Sequence, residues 1–138
     1  MMEKNYHALV DGRIYIGGAE DVPSVLENEK IDMVIDLRGE TKVLHEKAIH
    51  LPIIEGIEGQ NESVYRAIDQ VVSAYHEGQN IYFHCKSGSN RTGAVATATL
   101  LELGKAANLK EAVKMAKTIR EKINVRDELI RVLEGKYQ

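Results

Sequence analysis

One cysteine, two prolines, one phenylalanine and no tryptophan stand among the 138 residues of this chain. The lone cysteine, Cys85, excludes an intramolecular disulfide framework and a zinc site built on several cysteines. It suits a reducing compartment, and a cytoplasmic location is expected. The longest stretch free of charge, residues 92–101, is about half of what a membrane-spanning helix needs. No apolar run follows Met1-Met2-Glu3-Lys4, so no secretory signal is expected. Aromatic residues make up only 5% and none alternates with basic ones, so a platform for stacking nucleic-acid bases has no support and no nucleic-acid partner is expected. The histidines are poorly spaced for metal. His45-Glu46 and His50 lie five apart where a metalloprotease helix needs four, and His7 and His76 have no ligand partner in sequence. Neither a metal nor another cofactor is expected.

What the chain does have is an ordinary globular balance of 43% hydrophobic and 28% charged residues. Its length predicts one domain over residues 1–138. The net charge of −3 conceals an asymmetry: 7 Lys and Arg face 15 Asp and Glu in residues 1–84, and 11 face 6 in residues 85–138. The basic half begins at Cys85, which suits an anionic ligand there, although solvated helix faces would give the same imbalance.

Strand and helix patterns alternate. Residues 9–16 (LVDGRIYI) read as a strand pair turning at Asp11-Gly12, and a short helix begins near Pro23. Residues 31–37 (IDMVIDL) have the apolar, β-branched texture of a buried parallel strand, and residues 50–54 (HLPII) are a second candidate. Val64, Tyr65, Ile68, Val71, Val72 and Tyr75 recur at helical spacing, with Asn61 as the expected cap and Gly78 as the stop. Residues 80–84 (NIYFH) are another buried strand. Residues 91–103 form a helix with almost no polar face, and residues 109–120 and 125–135 are two amphipathic helices. This order predicts an α/β sandwich around a mainly parallel sheet.

The chemistry concentrates in residues 80–93, NIYFHCKSGSNRTG. A buried strand ends at His84, a polar turn follows, and a buried helix starts at Arg91. Ligands bind at such strand-to-helix junctions in α/β sheets. Turn amides and a helix N-terminus make an anion cradle. Lys86, Ser87, Gly88, Ser89, Asn90 and Arg91 are its phosphate-binding candidates. The same amides lower the pKa of the Cys85 thiol from its usual value of about 8.5. Thr92 is placed to add a hydroxyl bond, and the Arg91 fork matches two phosphate oxygens. A thiolate, amide donors and a guanidinium are the parts of thiol-based phosphoryl transfer.

These residues resemble the signature of the protein tyrosine phosphatase superfamily: His84-Cys85, five residues, then Arg91-Thr92. The short chain looks like the compact dual-specificity branch. Residues 12–18 (GRIYIGG), residues 34–38 (VIDLR) and Asn124 add weaker likeness. The resemblance implies a three-layer sandwich with a central sheet of four to five strands flanked by helices. It implies hydrolysis of phosphate monoesters on a phosphorylated protein or a small phosphorylated substrate, through a phosphocysteine on Cys85. His84 orders the loop in that scheme.

The family's usual general acid, an aspartate about thirty residues before the cysteine, is missing. Glu55 stands 30 and Glu58 27 positions upstream of Cys85, and Asp36 ends a predicted strand. Glu55 ranks first, Asp36 second and Glu58 third, beside the reading that both glutamates are solvated loop charges. Other readings stay open. Lys86 after the cysteine suits a phosphoinositide or inositol phosphate. The stretch Gly88-Ser89-Asn90-Arg91-Thr92-Gly93 resembles RNA 5′-triphosphatases. A rhodanese-type sulfurtransferase and a phosphate-binding module without catalysis complete the alternatives. Arg38 and Lys42 read as surface cations more than as a positive rim. Lys110, Lys114 and Lys117 read as an exposed helix face, and Asn61-Glu62-Ser63 as a glycosylation pattern without consequence.

Overall fold

Four tetrapeptides and one tripeptide build the central sheet. In the computed structural model, which describes residues 4–39, 47–54 and 59–137, the strands are β1 His7–Val10, β2 Ile14–Gly17, β3 Met33–Asp36, β4 Ala48–His50 and β5 Ile81–His84. Their order across the sheet is β1-β2-β5-β3-β4. Only β1 and β2 run antiparallel, joined by the turn at Asp11-Gly12, and the other pairings are parallel. The last strand in sequence, β5, therefore lies in the middle, between β2 and β3, where both of its faces are covered.

Side chains along β5 alternate accordingly. Ile81 and Phe83 enter one apolar cluster with Ile14, Ile16 and Ile35, while Tyr82 enters a second with Tyr6, Tyr15, Val25 and Val34. A pleated strand sends successive side chains to opposite faces, so a run that is apolar throughout requires a layer on each side. Helix α1 (Val22–Asn28) covers the Tyr82 face through Val25. Helices α2 (Gln60–His76), α3 (Arg91–Glu102), α4 (Leu109–Ile119) and α5 (Asp127–Tyr137) contribute to the larger cluster on the other face. The architecture is the expected three-layer α/β sandwich. None of the described helices is long and apolar enough to cross a membrane.

Helix α3 runs through the interior. Residues 92–100 are all buried, and the hydroxyls of Thr97 and Thr99 donate to the carbonyls of Gly93 and Val95, one turn back, at 2.8 and 2.7 Å. These bonds let threonine occupy a core helix without an unpaired hydroxyl. The lysine stripe of α4 is exposed, as expected, and Lys117 turns its Nζ onto the carbonyls of Glu121 and Ile123 beyond the helix end.

Two boundaries differ from the sequence reading. The strand expected at residues 50–54 is instead Ala48–His50. Beyond it the N–H groups of Leu51 and Ile53 still reach the carbonyls of Asp36 and Leu37 at 3.0 Å, but Pro52 between them has no N–H to give, and regular pairing stops. Helix α2 begins at Gln60 with Gly59 in the N-cap position, so Asn61 lies inside the first turn rather than capping it.

Candidate active site

Strand β5 delivers His84 and Cys85 to the carboxyl edge of the sheet, and α3 begins six residues after the cysteine. Asn90 occupies the N-cap position of α3, yet its side chain makes no capping bond there. Its Oδ1 accepts instead from the Arg126 N–H at 2.7 Å. The amides of the first turn, orphaned in any helix, are thus left facing the loop. One of them, the Thr92 N–H, donates to the Cys85 sulfur, as does the Gly88 N–H from the middle of the loop. The Thr92 hydroxyl joins them at 3.1 Å.

These contacts decide the state of the thiol. Burial alone pushes Cys85 up, since the residue is 2% exposed and a charge there is poorly solvated. The Thr92 hydroxyl and N–H, the Gly88 N–H and the charge of Arg91 outweigh burial and hold the thiol below its ordinary value. His84 is also buried, and the loss of solvation keeps its ring below the usual histidine range. Its Nδ1 donates to the Cys85 carbonyl at 3.0 Å and its ring stacks on Tyr82. A neutral, oriented ring fits the expected loop-ordering place.

The loop is gripped from outside. The Lys86 carbonyl accepts from Ala19 N–H at 3.0 Å, and the Ser89 carbonyl from Asn124 N–H at 3.2 Å. Between them, the Ser87 and Gly88 carbonyls accept from Nη2 and Nε of Arg120, both at 3.0 Å. Gly88 has φ of 72°, a left-handed conformation that favours glycine, and a Cβ there would lie 2.6 Å from the Gly17 backbone and 2.8 Å from Arg120 Nη2.

Cys85 opens into a cleft of ≈ 690 Å³. Lys86, Ser87, Ser89, Asn90 and Arg91 line it near the sulfur. Ile53, Ile54 and Gly39 form one wall, and Asn124 and Arg126 the other. Ile54, 40% exposed, is the large apolar side chain left open to solvent among the described residues.

Asp36 lies apart from this cleft. Its carboxylate is held by the Arg38 side chain, Nε to Oδ1 at 2.9 Å and Nη2 to Oδ2 at 2.7 Å, and by the Arg38 N–H at 2.9 Å. Burial pushes the group up, but the bonds and charge of Arg38 win and hold it below the usual carboxylate range. A carboxylate held low by a bidentate partner is a poor proton donor, which weighs against Asp36 as the acid. The same pairing corrects the reading of Arg38 as a solvated surface cation. Glu55 and Glu58, like Lys42, His45 and Glu46, lie outside the described residues. No group of three or more His, Cys, Asp or Glu among the described residues is placed to hold a metal ion.

Arg120 escaped the sequence reading, which ended an amphipathic helix on it. The available signal was an arginine directly after the apolar Ile119, a position that turns out only 2% exposed.

The fold and the cysteine loop meet in one family. The model of the dual specificity phosphatase catalytic domain matches residues 14–138, and the chain belongs to that family. It is a hydrolase of the cysteine phosphatase class, with a single cysteine in a Cys-x5-Arg-Thr arrangement. Membership sets aside the sulfurtransferase alternative. Solved structures with the same fold include human DUSP28, at 16% identity and a TM-score of 0.78 over 97% of this chain and 93% of that one. A mouse putative dual specificity phosphatase complexed with zinc tungstate gives 16% and 0.79 over 97% and 87%. PTPMT1 in complex with PI(5)P gives 19% and 0.77 over 96% and 94%. No curated protein matches the sequence.

Proposed function

We propose that this domain hydrolyses phosphate monoesters through a phosphocysteine, acting on phosphorylated protein side chains. The Cys85 sulfur attacks phosphorus in line, the ester P–O bond breaks, and the leaving oxygen takes a proton. Arg91 and the loop amides hold the three equatorial oxygens through the transition state, where their hydrogen bonds are strongest. Water then displaces the sulfur and releases inorganic phosphate, with the same clamp in place. The observation that carries this reading is the ring of donors on the buried Cys85 sulfur, the Thr92 hydroxyl at 3.1 Å with the Thr92 and Gly88 N–H groups, in a cleft that Arg91 also lines.

For the proton we assign Glu55 as general acid. It follows directly on Ile54, which forms the cleft wall, whereas Asp36 is committed to Arg38. The apolar wall of Ile53 and Ile54 suits the ring of a phosphotyrosine. A second reading has its own support: Lys86 and Arg126 stand at the same mouth as Arg91, a cation cluster that suits a polyanionic inositol phosphate. The proposal includes a reducing, cytoplasmic setting, because a low-pKa thiol is the first to oxidise elsewhere.

A panel of phosphotyrosine and phosphothreonine peptides, inositol phosphates and aryl phosphates of graded leaving-group pKa tests all of this. Glu55→Gln is expected to lose activity steeply on poor leaving groups and little on good ones, and Glu58→Gln and Asp36→Asn to show no such gradient. A flat profile for Glu55→Gln overturns the acid assignment. A preference for inositol phosphates over both peptides overturns the substrate assignment.

A further inference from the structure

Arg120 is a buried cation with a peculiar set of partners. Its guanidinium donates to the carbonyls of Ser87, Gly88 and Asn5, the last at 2.6 Å, and to His7 Nδ1 at 3.0 Å. An arginine nitrogen has no lone pair to offer, so the His7 ring accepts here and is neutral at Nδ1. Loss of solvation and the charge of Arg120 both keep His7 below the usual histidine range. None of these four partners is a carboxylate. Placing a full charge among neutral acceptors is a costly way to fill space at the end of a helix.

What the arrangement does follows from the geometry of the peptide unit. In a trans peptide the C=O and the next residue's N–H point in opposite directions, and the described chain has no cis peptide. Holding the Ser87 carbonyl outward turns the Gly88 N–H inward, where it meets the Cys85 sulfur. Holding the Gly88 carbonyl outward turns the Ser89 N–H inward by the same rule. Backbone amides at Ala19 and Asn124 fix the carbonyls on either side, and among the described residues Arg120 holds the carbonyls of the two central peptide planes. With φ of 72°, Gly88 has wide freedom to rotate, and nothing in its own side chain resists a flip.

We propose that Arg120 is a positioning residue for the reaction: its guanidinium holds the two central peptide planes of the loop so that the Gly88 and Ser89 amides face the sulfur and the phosphoryl oxygens. The inference rests on the proposed thiolate chemistry and adds to it a side chain 35 positions from Cys85 that touches neither sulfur nor substrate.

The test measures the loop directly. Arg120→Met keeps the length and apolar stem but removes every donor. Arg120→Lys keeps the charge but cannot span both carbonyls with a planar fork. Three readouts are taken on each folded variant: the pH midpoint of Cys85 alkylation by iodoacetamide, the affinity for orthovanadate, and kcat and KM on an aryl phosphate. Arg120→Met is expected to raise the alkylation midpoint toward that of a free thiol, weaken orthovanadate at least tenfold and lower kcat at least tenfold. Arg120→Lys is expected to fall between it and the parent. A folded Arg120→Met with the parent's midpoint and vanadate affinity overturns the proposal, even if its melting temperature or activity has dropped. Should Arg120→Met fail to fold, Arg120→Lys decides by the same two readouts. Neither alkylation nor vanadate binding requires turnover. A parent protein that releases no phosphate therefore defeats the phosphatase reading, and the thiol measurements still judge Arg120.

Discussion

Arg91 and Arg120 approach one loop from its two sides, and the two sides obey different rules. Inside, where Arg91 lines the cleft, groups converge on a place for a ligand, and their spacing in sequence is short and fixed. Outside, where Arg120 lies buried, groups arrive from residues 5, 7, 19 and 124, and their spacing in sequence means nothing. The inner side carries the chemistry and the outer side carries the geometry on which that chemistry depends. Substitutions on the inner side should therefore alter reaction rates without altering stability, whereas those on the outer side should alter both.

The largest effect belongs to the inner side. Cys85→Ser is expected to abolish release of phosphate from an aryl phosphate while retaining orthovanadate binding by titration, because the amide ring survives the change. Persistent turnover in that variant removes the nucleophile. Next comes Arg91→Ala, with an expected fall in kcat/KM of about 10²-fold or more in steady-state kinetics, the scale of losing one transition-state donor. Thr92→Val is smaller. It deletes a 3.1 Å bond to a charged sulfur, which is worth about 1.5–3 kcal/mol. The alkylation midpoint should rise by about one pH unit or more, while the urea midpoint moves little.

The smallest effect concerns pH and sharpens the contrast, since it reads stability alone. His84 is buried and its ring is held below the usual histidine range. The unfolded chain therefore binds a proton, at pH just under about 6.5, that the folded chain refuses. Its contribution is complete above that pH and declines as the pH falls toward the lower folded value, with a slope of at most about 1.4 kcal/mol per pH unit. Urea unfolding from pH 7 to pH 5 measures it, and His84→Gln should flatten that part of the profile.

The same contrast explains what could be read from the sequence. β3, β5 and α3 were legible because apolar β-branched runs and a helix without a polar face have few other places to go, and burial on both faces follows from composition. The Cys85–Thr92 constellation was legible because its members are neighbours in the chain. The edge strand β4 starts two residues earlier and ends four earlier than HLPII suggests, since that run is as apolar as a strand but Pro52 breaks the ladder, and pairing with β3 sets the limit. Asp36 is legible as a carboxylate at the right edge of the sheet, and only the fold reveals that Arg38 holds it. Arg120 could not be found by spacing at all. Its partners lie 32, 33, 113 and 115 positions away.

That last separation carries a consequence for how the domain is made. The guanidinium joins Asn5, near the beginning of the chain, to a loop past its middle, and does so from a residue close to its end. Contacts of such long reach are completed late, since the intervening chain must already be in place. A nascent polypeptide still lacking its fourth helix would have the Thr92 and Arg91 groups beside Cys85 but not the Arg120 grip on the Ser87 and Gly88 carbonyls. Its full nucleophilic power would then wait on the synthesis of that helix.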